Sequence, residues 1–151
     1  CSISTLKYVT SWDGKPNDGS MVEQLFGSRD DEFLRVVAEI RCTEFLVSHG
    51  WQVGKADAKC VFDIFGIKGD ATIKMQVKST SCLSGRGWPI FDIGRLKFNT
   101  TECKRLSFKP GDFDYWFFYH KNGDAWVIPF DKIANSSTIS MEGFDEYHID
   151  D

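Results

Sequence analysis

The sequence predicts a single mixed α/β domain, and three observations predict it. An apolar stripe of 3.6-residue period runs through Leu34, Val37, Ala38, Cys42, Phe45 and Leu46. Ala71–Thr80 alternates strictly, with Ile73, Met75 and Val77 on one face and Lys74, Gln76 and Lys78 on the other. Further β-prone runs follow, separated by turn chemistry, so helix and strands share one chain order. At 151 residues, 42% hydrophobic and 15% aromatic, the chain can bury one adequate core and leaves little room for a second. No internal repeat or linker divides residues 1–151.

Residues 1–27 read as an N-terminal arm, with a short strand at Leu6–Trp12 and loop chemistry from Trp12 to Ser20. Ser28, followed by Arg29, Asp30, Asp31 and Glu32, reads as a helix cap with carboxylates in the first turn; the helix then runs to about His49 and stops at Gly50. Glu39 sits beside the apolar stripe, within i,i+4 reach of Arg35. Trp51–Val53 begins an edge strand, Cys60–Phe65 reads as a central strand, and Gly69-Asp70 as the hairpin turn into Ala71–Lys78. Ser79–Gly87 is a polar loop and Trp88–Lys97 an extended ribbon, followed by a short helix at Thr100–Ser107. Asp114–His120 and Ala125–Pro129 form a hairpin around Lys121–Asp124. A helical turn at Asp131–Ala134 and a strand at Thr138–Met141 complete the order.

The net charge of −4 is unevenly spread. Residues 1–67 carry −3, residues 68–109 carry +6 and residues 110–151 carry −7. The cationic excess follows the Gln76/Lys78 strand, where it can attract phosphates to an otherwise acidic protein; a solvated surface segment would have the same composition. The acidic stretch Glu142–Asp151 would repel DNA and is expected to lie away from a bound duplex.

Five cysteines, none in a Cys-x-x-Cys spacing, and three scattered histidines argue against a disulfide scaffold or a zinc finger and for a reduced, cytoplasmic setting. Cys42 and Cys60 are expected to be small buried apolar residues. No apolar run approaches the ~20 residues needed to cross a bilayer, and no signal peptide is expected.

One constellation carries chemistry. Asp63 is a carboxylate among Val61, Phe62, Ile64 and Phe65, and Gln76 and Lys78 share one face of the next strand. Phosphodiester hydrolysis needs a hard cation with oxygen ligands, an in-line water and help in deprotonating that water. Asp63, the Gln76 amide oxygen and the Val77 carbonyl are suitable oxygens. Lys78 would stand near the attacking water and the developing phosphorane charge, and Glu39 would reach the same cation directly or through water. The spacing alone also fits a structural salt bridge between Asp63 and Lys78.

Ala38–Val53, Phe62–Phe65, Gln76–Thr80, Phe113–Tyr119 and Ala125–Pro129 with Asp131 and Ile133 occur in an order and spacing that resembles the PD-(D/E)XK nuclease superfamily. The likeness covers residues 28–141 and is greatest to a small prokaryotic group that includes an intron-encoded homing endonuclease of the cyanobacterial group I intron type. The group is related more distantly to Holliday-junction resolvases and restriction enzymes. The resemblance implies a restriction-endonuclease-like core, a mixed central sheet flanked by helices. It implies Glu39, Asp63, Gln76 and Lys78 as the catalytic set, with Asp63, Glu39 and the Val77 carbonyl at Mg2+, for which Mn2+ may substitute. Phe62 stands where the motif's name has Pro, and Gln76 where it has Asp or Glu. A Holliday-junction resolvase or a restriction endonuclease is the alternative within the nuclease class, and that second departure leaves a DNA-binding module without catalysis as another.

On this reading the chain cuts double-stranded DNA. Two strands need two sites, so a homodimer or homotetramer is expected. Arg86, Arg95, Lys97, Lys104 and Arg105 are the cations available to DNA, with Ser79, Thr80, Ser84 and Asn99 as phosphate or base-edge partners.

Overall fold

A computed structural model describes residues 33–98, 103–106, 108–133 and 136–149, with residues 95–98 and 103–106 placed by their backbone. Helix α1 spans Leu34–Ser48. Its inner face buries Leu34, Ala38, Cys42 and Leu46, as the 3.6-residue stripe requires. Phe33 stands at the N-cap with no side-chain cap; the expected cap at Ser28 and the acidic residues after it lie outside the described residues, as does the 1–27 arm. At the other end Gly50 takes φ +90°, and the Gly50 and Trp51 amides donate to the Val47 and Leu46 carbonyls. That left-handed residue ends the helix and turns the chain into the sheet.

The main sheet has six strands, β1 (Gln52–Lys55), β2 (Ile64–Lys68), β3 (Ala71–Thr80), β7 (Tyr115–His120), β8 (Ala125–Pro129) and β10 (His148–Ile149), adjacent in that order. β3 and β7 run parallel and the other neighbours antiparallel, so the sheet is mixed, as expected. Two small ribbons accompany it: β4 (Ile90–Asp92) with β9 (Thr138–Ser140), and β5 (Arg95–Phe98) with β6 (Cys103–Leu106).

The sheet separates two cores. On one face α1 packs its inner stripe on Ile64, Met75, Val77, Phe117 and Tyr119. On the other, Phe91, Phe113, Trp116, Phe118, Trp126, Ile128 and Met141 form an aromatic layer. Its rings meet edge-on (Phe113 and Trp116, 81°) or stacked (Trp116 and Phe118, 11°), so the aromatic run of β7 is sheet core, as its composition suggests.

Several expectations are corrected. Cys60–Phe65 is not one strand: β2 begins at Ile64, and Asp63 sits on the incoming turn, although its amide still donates to the Met75 carbonyl. Cys60 is exposed there, whereas Cys42 is buried as expected. Cys103–Leu106, expected as helix, is strand β6, because pairing with β5 in register overrides a short stretch's local preference. Residues 99–102, 107 and 134 of the expected helix and turn lie outside the described residues. The acidic stretch after Glu142 contributes a 3-10 turn at Asp145–Tyr147 and then β10, which caps the β8 edge. Among the described residues no helix is long and apolar enough to cross a membrane.

Candidate active site

The site forms where the chain enters β2 beside the continuing β3. Because side chains alternate along β3, Met75 and Val77 go into the helix-side core while Gln76 and Lys78 point to the other face. The backbone alternates too. The carbonyls of Lys74 and Thr80 accept from Asp114 and Lys121 at either end of β7, whereas the Met75 carbonyl accepts from Asp63 and the Val77 amide donates to Asp63 Oδ2 at 2.9 Å. Odd-numbered residues of β3 therefore direct both backbone groups toward the β2 side, and the Val77 carbonyl falls on the edge that Asp63 occupies.

Asp63, Gln76 and Lys78 line one cavity of about 260 Å³, together with Cys60, Val61, Gly94 and Phe108. Gln76 is 8% exposed. The Lys78 ammonium lies 5.7 Å from the centre of the Phe108 ring, close enough for cation–π attraction. Burial pushes the Asp63 carboxyl above the ordinary carboxylate value; the Val77 amide opposes that rise, the charge of Glu39 adds to it, and Lys78 and Arg35 offset it.

Glu39 is placed differently. It is 9% exposed on α1 and lines a neighbouring groove with Val36, Ile40, Val47, Lys55 and Ile64. Its Oε2 lies 3.0 Å from Lys55 Nζ and its Oε1 3.8 Å from Arg35 Nε. The Arg35 pair is the i,i+4 contact the sequence suggests. Lys55 is the residue that sequence reasoning missed, because only the pairing of β1 with β2, which sets Lys55 opposite Ile64, brings it to the helix. Burial pushes the Cys42 thiol up, and the charges of Asp63 and Glu39 add to that rise; the charge of Glu39 also reaches Asp63, so one electronegative zone spans the two cavities.

The donors available to a hard cation are the Asp63 carboxylate, whose Oδ2 is anchored by Val77, the Gln76 amide oxygen and the Val77 carbonyl, while Glu39 lines the neighbouring groove. A half-desolvated carboxylate beside a second negative charge is an environment that a divalent cation would relieve, and all these donors are oxygens, so the set fits magnesium. Among the described residues no three His, Cys, Asp or Glu side chains are grouped so as to hold a metal ion.

The residues expected to meet DNA divide. Ser79 and Thr80 end β3, and the Thr80 hydroxyl accepts from the Cys82 amide. Ser84 Oγ accepts from the Trp88 amide. Arg86 donates to Glu142 Oε1 at 2.8 Å, so part of the acidic C-terminal stretch reaches back to the basic segment instead of standing apart from it. Arg95, Lys97, Lys104 and Arg105 belong to the β5–β6 ribbon, where Lys97 is registered opposite Lys104; their side chains, and Asn99 entirely, lie outside the described residues.

No protein-family model and no curated protein matches the chain. Among solved structures, the fold is similar to that of a bacterial homing endonuclease, I-Ssp6803I. The two share 23% identity with a TM-score of 0.64, over 74% of this chain and 78% of that one. At this identity the likeness is one of architecture.

Proposed function

We propose that the chain is a magnesium-dependent endonuclease that hydrolyses phosphodiester bonds in both strands of DNA, site-specifically, as a homing endonuclease does. The observation that carries this reading is the convergence of Asp63, Gln76 and Lys78 on one cavity, with Asp63 anchored to the backbone between the other two. The PD-(D/E)XK-like motif order and the architecture shared with a homing endonuclease support it.

In this reading Asp63, the Val77 carbonyl and Gln76 hold Mg2+, or Mn2+ in its place, with Glu39 contributing directly or through water. The bound cation supplies charge neutralisation at the non-bridging phosphate oxygens and a more acidic water. Lys78 would orient that water, and its ammonium would stabilise the developing phosphorane charge. Ser79, Thr80, Ser84 and the cations of the basic segment hold the phosphate backbone. The chain acts as a homo-oligomer, since each copy brings one such cavity. Free Cys60 and Cys82, both exposed, suit a reducing cytoplasm.

A second reading, a DNA-binding module without catalysis, is favoured by one observation: the carboxylate of Glu39, whose charge reaches Asp63, is already engaged by Lys55. Cleavage of a random double-stranded library with Mg2+ present, followed by sequencing of the ends, decides between them. The nuclease reading expects defined ends, lost in Asp63→Ala and Lys78→Ala while DNA binding persists. Absence of cleavage with either Mg2+ or Mn2+ leaves the binding module. A linear plasmid set against a four-way junction separates a homing or restriction enzyme from a resolvase.

A further inference from the structure

Helix α1 is apolar on two opposite sides. Its inner stripe is covered by the sheet. On the outer side Phe33, Val36, Ile40 and Val47 are 59%, 50%, 59% and 55% exposed, and half-buried Thr43 lies among them. Positions 33, 36, 40, 43 and 47 are spaced by three and four residues in turn. That is the a/d spacing of a helix that packs on another helix. Val36, Ile40, Thr43 and Val47 also form one wall of the groove of about 440 Å³ whose far side includes Lys55 and Ile64, which gives partner side chains somewhere to insert.

We infer that this outer stripe is an interface with a second copy of the chain, α1 packed on α1 about a two-fold axis at Ile40. Phe33 and Val47 stand seven residues on either side of Ile40, while Val36 falls opposite Glu44. In an antiparallel pairing Phe33 meets Val47 twice and Ile40 meets itself, so every a position finds an apolar partner, as an isologous contact requires. The four exposed residues present roughly 400 Å² per copy. Doubled, and with the rim from Thr43, Glu44 and Lys55 added, this reaches the roughly 1,000 Å² at which specific interfaces begin. The inference is independent of whether the chain cuts DNA. It concerns which face makes the oligomer.

The test is the mass of the full chain in solution by sedimentation, without DNA or metal, for the wild type, Ile40→Glu and Ile40→Lys. Both substitutions fall at an exposed position, and far-UV circular dichroism checks that each variant is folded. The wild type is expected to be dimeric or larger at micromolar concentration, and each variant alone at half that mass or less. An equimolar mixture of the two variants is expected to regain the larger species, because glutamate then faces lysine across the axis. A monomeric wild type, in which residues 1–32 or a different protein would cover the stripe, overturns the inference. So does a mass unchanged in both folded variants, or a mixture that stays dissociated. A folded, dimeric protein with no cleavage on any DNA would sink the nuclease reading and leave this one standing.

Discussion

The Asp63 carboxylate and the Val77 amide are joined at 2.9 Å, so the turn that enters β2 is tied by its own side chain to the strand that carries Gln76 and Lys78. One oxygen of the carboxylate is thereby oriented. With the bond from the Asp63 amide to the Met75 carbonyl, this contact seats Asp63 against the strand that carries the other two candidate groups.

Asp63→Asn should keep that contact, because an amide oxygen also accepts from Val77. It should also remove a carboxyl whose value burial has raised above the ordinary 3.8. A raised carboxyl costs stability where it is charged, above its folded value, and that cost fades as pH falls through the folded value toward 3.8. The metal-free Asp63→Asn variant is therefore expected to be more stable than the wild type at neutral pH, with the difference shrinking on acidification. Urea titrations across pH measure it; a difference that grows toward low pH would contradict the assignment.

Gln76→Glu restores the carboxylate that the family resemblance expects at a position only 8% exposed. A second buried charge beside Asp63 should lower the metal-free melting temperature and tighten Mn2+ binding. Calorimetric titration with Mn2+ alone reads the affinity, and added Mg2+ should recover the lost thermal stability. Unchanged affinity would place Gln76 outside the ligand set.

Lys55→Met leaves Glu39 with only the longer Arg35 contact among the ion pairs described for it. The lysine is largely exposed, so the loss of metal-free stability should stay below about 1 kcal/mol. The released carboxylate should bind Mn2+ more tightly. If Lys55 were merely a surface cation, stability would fall slightly and Mn2+ affinity would not move.

Gly54 faces Phe65 across β1 and β2, and a β-carbon at Gly54 would stand 2.3 Å from the ring. Gly54→Ala must push that ring away, at about 1–3 kcal/mol of destabilisation by denaturant unfolding. Since Lys55 follows directly, the same variant should loosen the grip on Glu39.

Strand β3 was legible from Ala71 to Lys78, because strict alternation has no helical interpretation; Ser79 and Thr80 read as loop, yet they extend the strand by pairing with Tyr119 and His120 of β7. The inner stripe of α1 was equally plain. What escaped was whatever depends on a distant partner. Cys60–Phe65 has the composition of a strand, yet only the part opposite Met75 and the residues before it finds a ladder. Cys103–Leu106 reads as a helical turn until β5 lies beside it. Lys55 reaches Glu39 only through the sheet. The outer stripe of α1 was hidden by the inner one, since two opposite apolar faces cancel the contrast that marks an amphipathic helix.

The parallel pairing of β3 with β7 has a consequence for how such a protein changes over generations. Everything between the two strands, most of the cationic stretch with β4, β5 and β6, is a single excursion whose flanking strands are pinned by Lys74 to Asp114 and Thr80 to Lys121. Doubling the length of a flexible connection costs only about 0.6 kcal/mol in closure entropy. Away from Phe91 and Ile93 in the core and from Gly94 and Phe108 at the cavity, the excursion can therefore be lengthened, shortened or rewritten while Asp63, Gln76 and Lys78 keep their seats. Drift in what the protein recognises is uncoupled from drift in what it does.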